Sequence, residues 1–251
     1  MRKFVLGCSA ALAFITQGAF ADHHVKSMEM FACNYADGKG RQDVLNVAAE
    51  WDKWADSNFS EPYRAYMMTP LFFTKSDFPM DWIWLGVSDS PSQMGTVNDE
   101  WLAKGDKLQA KFDKVSPCMS HNYMGSMELR PYPQLGEAGY VQVRSCTMKP
   151  GVSWGQVRRT NMEIAEWMEE KGVPGGNYLW WPGTGSAIKS DIDFYNVWIT
   201  QSLAERGEGL QIFGANDWGD ESYHIAGDDS IAECDGWRIW HAQPVGGKAA
   251  E

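Results

Sequence analysis

One ordered set of landmarks occurs twice in this chain, and it constrains the fold more than any other feature. Each copy has a cysteine late in an apolar segment, a tryptophan in a helical pattern, a proline after an aromatic run, an aspartate before an aromatic strand, and a closing cysteine. The copies comprise Cys33, Trp54, Pro70, Asp81 and Cys118, and then Cys146, Trp167, Pro182, Asp193 and Cys234. The spacing is nearly the same in both, which predicts a duplicated domain.

Residues 1–21 have the pattern of a secretory signal peptide. A basic start at Arg2 and Lys3 precedes an apolar centre, and the segment ends in Ala19-Phe20-Ala21. We therefore expect an exported protein, either periplasmic or extracellular. No later stretch is long and apolar enough to predict a membrane span.

The chain is acidic, with a net charge of −11. Cleavage after Ala21 would remove Arg2 and Lys3 and no acidic residue, which takes the charge of the mature chain to −13. Such a surface repels phosphate backbones and anionic lipids, so we expect neither nucleic acid nor a membrane surface as a partner. A small-molecule ligand is the favoured partner, and the oligomeric state stays open.

Four cysteines remain after cleavage, and an even number in an oxidising compartment favours disulfides. The repeat pairs Cys33 with Cys118 and Cys146 with Cys234. Redox or metal roles are weaker, because the chain has no Cys-x-x-Cys pair.

Residue periodicity predicts the same order of elements in both copies. The first copy is expected to have strands at 27–35, 63–73, 81–87 and 118–129, and helices at 41–58 and 98–115, the second helix capped by Asn98 or Asp99. The second copy is expected to have strands at 140–148, 177–181, 193–200 and 237–242, a helix at 153–171 and a less regular helical region at 202–231. Each copy is therefore a βαββαβ unit, the ferredoxin-like motif.

The predicted boundaries follow from this order. We expect a first unit at 22–129, a linker rich in Pro and Gly at 130–138, a second unit at 139–244 and a disordered tail at 245–251. In a ferredoxin-like unit the first and last strands lie side by side and antiparallel. A cysteine late in one can therefore face a cysteine early in the other, in agreement with the proposed disulfides.

Two ferredoxin-like units in one chain resemble the dimeric α/β-barrel superfamily, in which two such sheets face each other. The resemblance covers nearly all of the mature chain and rests on the order of the elements. It implies an α+β fold in which the two units form an intramolecular α/β barrel. Members include cofactor-free monooxygenases, haem-degrading enzymes, chlorite dismutases and stress-responsive barrel proteins.

Strand alternation separates a mainly aliphatic face from a face that carries the cysteines with aromatic and polar residues. We expect the cysteine-bearing face to line an aromatic-walled cavity between the sheets. The residues predicted to bind a ligand there are Glu29, Trp82, Trp84, Asn122, Arg144, Asn196, Trp198, Arg238 and Trp240. Arginine suits a carboxylate. The alternative is that the aromatic residues fill the barrel and the arginines pair with acids, and a single bulge would exchange the faces.

Histidine gives weaker signals. His121 and His241 lie on closing strands, on the face expected to pack on helices, where a core histidine is the commoner outcome. His224 falls near where some haem-binding relatives keep an axial histidine, so the resemblance makes haem the alternative to our main expectation of no cofactor. Signal cleavage would expose Asp22-His23-His24, in which His24 could complete a copper(II) or nickel(II) site, although we expect no metal.

Three classes of function remain. The first is an exported small-molecule-binding barrel, which includes the case of a cofactor-free enzyme acting on an apolar or aromatic carboxylate. The second is a haem-binding barrel of the chlorite dismutase kind. The third is a non-catalytic module in which Trp180 and Trp181 stack on a sugar or a protein. They predict a buried cavity, a coloured protein and exposed coplanar aromatic rings, respectively.

Overall fold

The computed structural model describes residues 25–76, 78–134, 136–188, 190–216 and 231–248. The first unit contains β1 (Val25–Cys33), α1 (Arg41–Asn58), β2 (Tyr63–Phe72), β3 (Trp82–Ser88), α2 (Pro91–Lys104), α3 (Asp106–Val115) and β4 (Cys118–Arg130). The second unit contains β5 (Gly139–Met148), α4 (Trp154–Glu170), β6 (Gly176–Pro182), β7 (Phe194–Thr200), α5 (Leu203–Ala215), β8 (Ala232–Cys234) and β9 (Arg238–Lys248). Two βαββαβ units therefore follow one another in the chain, as the periodicity predicts.

The two units close into one antiparallel barrel. Within each unit the strands have the ferredoxin-like order, β4-β1-β3-β2 in the first and β9-β5-β7-β6 in the second. Strand β2 pairs with β9, and β4 pairs with β6, so the edges of one sheet are joined to the edges of the other. The result is an eight-stranded barrel with β8 added beside the end of β5. Closure leaves the barrel without free edges.

Local signals at the helix starts explain where the helices begin. The Asp43 carboxylate accepts a hydrogen bond of 3.1 Å from the Gly40 N–H at the start of α1. Ser153 and Gln156 form a reciprocal capping box at the start of α4. Ser202 caps α5 by accepting from the Glu205 N–H at 3.1 Å. The starts of α1, α4 and α5 thus have side-chain partners for N–H groups that the helix backbone cannot satisfy.

Alternate residues of every strand contribute to two different cores. One set points into the barrel and forms a cluster that includes Met28, Leu85, Met124, Val141 and Val197. The opposite set packs under the helices, as Trp84 does against Trp51 in the first unit and Trp198 against Phe213 in the second. Each unit therefore has its own outer core, and the two units share the inner one.

Both proposed disulfides are present. Cys33 is joined to Cys118, and Cys146 is joined to Cys234. Each bond links the first strand of a unit to the antiparallel strand beside it, since Cys33 lies opposite Cys118 in the β1–β4 ladder and Cys146 lies opposite Cys234 in the β5–β8 ladder. No helix among the described residues has the length and apolar character needed to cross a membrane.

Two predictions about the elements are wrong. The single helix expected at 98–115 is two helices that meet at Gly105, and the first of them starts earlier, capped by Ser90 with Pro91 in its first turn. The tail expected to be disordered from 245 onward continues β9 as far as Lys248. Its backbone is held because Gly247 lies opposite Arg64 of β2 and donates a 2.8 Å hydrogen bond to Asp52. Residues 249–251 lie outside the described part of the chain.

Candidate functional site

The nine residues predicted to line one cavity lie in three separate places, so the single-cavity prediction is wrong. The cysteine-bearing face packs under the helices, and the aliphatic face lines the barrel. Two irregularities then exchange the faces within the closing strands. A register shift in the β1–β4 ladder separates Cys118 from Ser120, and the segment 235–237 separates Cys234 from Arg238. Residues of the same parity therefore point to opposite sides.

Glu29, Trp82 and Trp84 lie under the helices of the first unit. The Glu29 carboxylate accepts a 2.6 Å hydrogen bond from the Tyr63 hydroxyl, and its other oxygen lies 2.9 Å from His121 Nε2. The Trp84 indole N–H donates to the same Tyr63 oxygen at 3.0 Å. Burial, the neighbouring Glu29 and their hydrogen bond raise the pKa of Tyr63 well above its usual value. These polar groups are hydrogen-bonded to one another. Glu29, Trp82 and Trp84 also line a small cavity of about 90 Å³ under the helices of this unit.

Asn122, Arg238 and Trp240 lie inside the barrel. They border a cavity of about 390 Å³ at the end where the disulfides are, and we call it the barrel cavity. Arg238 forms an ion pair with Asp235, and its guanidinium lies over the Phe78 ring at 5.0 Å from the ring centroid. Trp180 also borders this space and is 4% exposed, so the exposed Trp180–Trp181 stacking surface is not formed.

Arg144, Asn196 and Trp198 lie under the helices of the second unit. Together with α4 and α5 they enclose a cavity of about 310 Å³, which we call the Arg144 cavity. The strands contribute its floor, because Arg144 lies opposite Asn196 in the β5–β7 ladder. The helices and strands contribute apolar walls: Leu129, Ile164, Ala165, Met168, Trp198, Leu210, Phe213 and Trp237.

The charged side chains that line the Arg144 cavity are both cationic. Arg144 and Arg206 both line it, and no Asp or Glu does so among the residues that the structure describes. Gln142 is 1% exposed, and its Oε1 accepts a 2.6 Å hydrogen bond from Arg206 Nε. Two of these residues each have a buried donor, Arg144 Nε and Gln142 Nε2, with no hydrogen-bond partner in the described part of the chain.

The electrostatic environment of Arg144 is set by burial and by two neighbours. Desolvation lowers the pKa of Arg144 from its usual value, and Asp235 acts in the opposite direction. The guanidinium also lies over Trp237, with Cζ 4.7 Å from the ring centroid. Because an arginine pKa starts far above neutrality, the side chain stays charged, and none of the described residues accepts a hydrogen bond from its Nε.

Sequence reasoning missed Gln142 and Arg206 as site residues. A signal for Gln142 was present, since it precedes Arg144 by two positions and therefore lies on the same strand face. Arg206 lies on α5, and which face of a short, weakly patterned helix turns toward the strands depends on packing. Asn161 of α4 also borders the cavity and donates to the Val157 carbonyl at 2.8 Å.

Metal ligation finds little support in the described part of the chain. No group of three or more His, Cys, Asp or Glu side chains is placed there to hold an ion. His121 stacks on Phe31 with ring centroids 3.7 Å apart, and His241 packs beside Tyr140. The predicted metal candidates His24 and His224 lie outside the described residues.

Several solved structures share this barrel of two ferredoxin-like units. A monooxygenase-like protein from Lactobacillus acidophilus NCFM has the same fold, with a TM-score of 0.54, 7% identity and coverage of 90% of this chain and 97% of that chain. A mutant chlorite dismutase from Candidatus Nitrospira defluvii gives a TM-score of 0.51 at 10% identity, covering 89% of this chain and 93% of its own. An anthrone oxidase-like protein gives 0.50 at 9% identity, covering 92% and 98%. No family model and no curated protein sequence matches the chain.

Proposed function

We propose that this protein binds a small apolar or aromatic molecule bearing a carboxylate, and that the Arg144 cavity is the binding site. The observation that carries the proposal is the pair of buried donors, Arg144 Nε and Gln142 Nε2, which have no acceptor among the residues that the structure describes. Both belong to residues that line the same cavity. A carboxylate has two oxygens and can accept from both donors at once.

The free-energy cost of unpaired buried donors favours a bound ligand over an empty cavity. A buried donor without a partner costs about 1–3 kcal/mol, and more when the group is charged. The protein is acidic overall, yet this cavity has two guanidinium groups and no acidic residue among the described lining residues. The local charge therefore attracts an anion even though the surface as a whole repels one.

The walls indicate the rest of the ligand. Ile164, Met168, Leu210 and Phe213 form an apolar surface opposite the arginine, and Trp198 contributes a ring whose orientation is held by a 2.8 Å hydrogen bond to the Pro174 carbonyl. A site of mainly apolar walls with a few placed polar groups is the usual form of a small-molecule pocket. The ligand would place its apolar body between the helices and its carboxylate on the strand side.

Isothermal titration calorimetry with 2-naphthoate tests this proposal. Wild-type protein is expected to bind the probe, and Arg144→Met is expected to weaken binding at least tenfold, because a charge-assisted hydrogen bond contributes about 1.5–3 kcal/mol. Arg159→Met is the matched control, since Arg159 lies on α4 but is exposed. Equal affinities in wild type and Arg144→Met would refute the assignment of the site.

Haem is the second candidate, because it too is an apolar molecule with two carboxylates. Arg144 and Arg206 suit its propionates, but no histidine lines the cavity among the described residues, so these residues fit haem only in part. His224 follows α5 in sequence and remains the proposed axial ligand. An absorption spectrum after addition of haem tests this: a Soret band that is lost in His224→Ala supports haem, and no band refutes it.

We also propose that the protein is exported. The two disulfides support an oxidising compartment, and the amino-terminal pattern supports a cleaved leader. Amino-terminal sequencing of the mature protein tests this proposal, with Asp22 expected as the first residue. A chain that begins at Met1 in the expressing cell would contradict it.

A further inference from the structure

The barrel cavity is larger than the Arg144 cavity and lies on the other side of the sheet. Its volume is about 390 Å³, and strands of both units contribute to it. Phe78 and Met80, from the segment between β2 and β3, and Ile192, from the segment before β7, also border it. Most pockets that hold drug-sized molecules have volumes of roughly 300–1,000 Å³, so this space is large enough for a ligand.

The wall of the barrel cavity is apolar and adaptable. Four methionines line it, Met30, Met68, Met80 and Met124, together with the Trp180 and Trp240 rings. Methionine side chains are flexible and polarisable, and they make favourable contacts with aromatic rings. A surface of this composition accommodates flat apolar molecules of more than one shape.

The charged groups at this cavity are already paired with each other. Arg238 forms an ion pair with Asp235, and the second oxygen of Asp235 accepts a 2.8 Å hydrogen bond from the Ser145 N–H. Burial and the nearby Asp235 raise the pKa of Tyr195, so its phenol stays neutral. The cavity therefore has no net charge from these groups, in contrast to the Arg144 cavity with its two guanidiniums.

One buried acceptor remains without a donor. Asn122 lines the cavity, and its buried Oδ1 has no hydrogen-bond partner among the residues that the structure describes. Asn122 lies opposite Met30 in the β1–β4 ladder, so it belongs to the same inward face as the methionines. A buried acceptor without a hydrogen bond is energetically unfavourable, so a ligand in this cavity is favoured if it can donate to that acceptor.

We propose that the barrel cavity is a second ligand site, for an uncharged aromatic or apolar molecule with a hydroxyl or amide N–H that donates to Asn122 Oδ1. The apolar body packs against the methionines and the tryptophans. This site would select a neutral donor, whereas the proposed Arg144 site would select an anionic acceptor. The two sites are separate, because they lie on opposite faces of the sheet.

Calorimetry with 2-naphthol tests this inference in wild type, Asn122→Leu and Val143→Phe. Asn122→Leu keeps a similar volume and removes the acceptor, so we expect about a tenfold loss of naphthol affinity. Val143 lines the cavity, and the larger ring of Val143→Phe should fill part of it and weaken naphthol binding by a similar factor or more. Circular dichroism and thermal melts establish that both variants are folded.

The outcomes separate this inference from the proposed function. Naphthol binding that is lost in both variants, with naphthoate binding unchanged in Asn122→Leu, supports a separate neutral site. No naphthol binding by the wild type, or equal affinities in all three proteins, overturns it. A crystal soaked in naphthol that shows only a water on Asn122 Oδ1 also overturns it. If naphthoate does not bind at all, the proposed function is wrong. The naphthol measurements still decide whether the barrel cavity is a ligand site.

Discussion

Arg206 Nε donates a 2.6 Å hydrogen bond to Gln142 Oε1, and this contact fixes the orientation of the Gln142 amide. Because the oxygen is engaged by Arg206, the amide nitrogen is the atom left as a buried donor. A residue on α5 thus determines which atom a residue of β5 presents to the Arg144 cavity. Arg206 is in this respect a positioning residue for Gln142.

Replacing Arg206 should therefore weaken anion binding through Gln142. In Arg206→Met the amide is free to turn, and one of the two cationic groups is lost, so we expect naphthoate affinity to fall about tenfold. A double-mutant cycle with Gln142→Leu separates the two effects. The losses should be clearly less than additive if Arg206 acts through Gln142. Additive losses measured by calorimetry would show that the two side chains act separately.

The shared hydroxyl of Tyr63 should contribute strongly to stability. Tyr63 is 2% exposed and Glu29 is 6% exposed, and the hydroxyl bonds both Glu29 and Trp84. Tyr63→Phe would leave a buried carboxyl oxygen and a buried indole N–H without this partner, at a cost of about 2–4 kcal/mol. Urea unfolding measures this loss in the free energy of unfolding. Tyr123→Phe is the control, because it removes one bond to the Ser27 hydroxyl and should cost about 1 kcal/mol. Equal losses in the two variants would contradict this account.

The two disulfides should stabilise the protein by similar amounts. They join residues separated by 85 and 88 positions, so the chain-entropy model gives each about 4–5 kcal/mol as an upper figure. Unfolding of the double variants Cys33→Ser/Cys118→Ser and Cys146→Ser/Cys234→Ser measures each contribution. A loss confined to one of the two pairs would show that loop closure does not dominate.

Acidification should destabilise the protein partly through His241. Burial, with a smaller effect of Arg41, lowers the pKa of His241 below its usual 6.5. The unfolded chain then binds the proton more readily, so this contribution is complete above pH 6.5 and is lost as the pH falls through the folded-state value. The loss of stability between about pH 8 and pH 5 should be smaller in His241→Gln than in wild type. If the urea midpoint falls by the same amount between pH 8 and pH 5 in His241→Gln and in wild type, His241 does not contribute to the acid destabilisation.

The sequence predicts the architecture of this protein better than it predicts the site. Periodicity and the repeated landmarks are local signals, and they are sufficient for the βαββαβ order and for both cysteine pairs. The end of β9 depends on pairing with β2 of the other unit, which no pattern within the second unit indicates. The extra residue near Met119 likewise carries no compositional signal, yet it determines that Asn122 faces the barrel.

For the Arg144 cavity too, the sequence predicts the residues that share a strand face but not the helix residues that pack against them. Alternation correctly places Arg144, Asn196 and Trp198 on one face, because the β5–β7 ladder runs without a bulge through these residues. Their partners on α4 and α5 depend on how the helices cross the sheet. Strand alternation predicts that Arg238 shares a face with Arg144, but the segment 235–237 between Cys234 and Arg238 breaks the alternation.

A crystal structure of the protein soaked with 2-naphthoate tests the central claim most directly. We predict that the carboxylate lies within hydrogen-bonding distance of Arg144 Nε and Gln142 Nε2, with the ring system between α4 and α5. A probe found elsewhere, or a carboxylate that contacts neither donor, would contradict the proposed site.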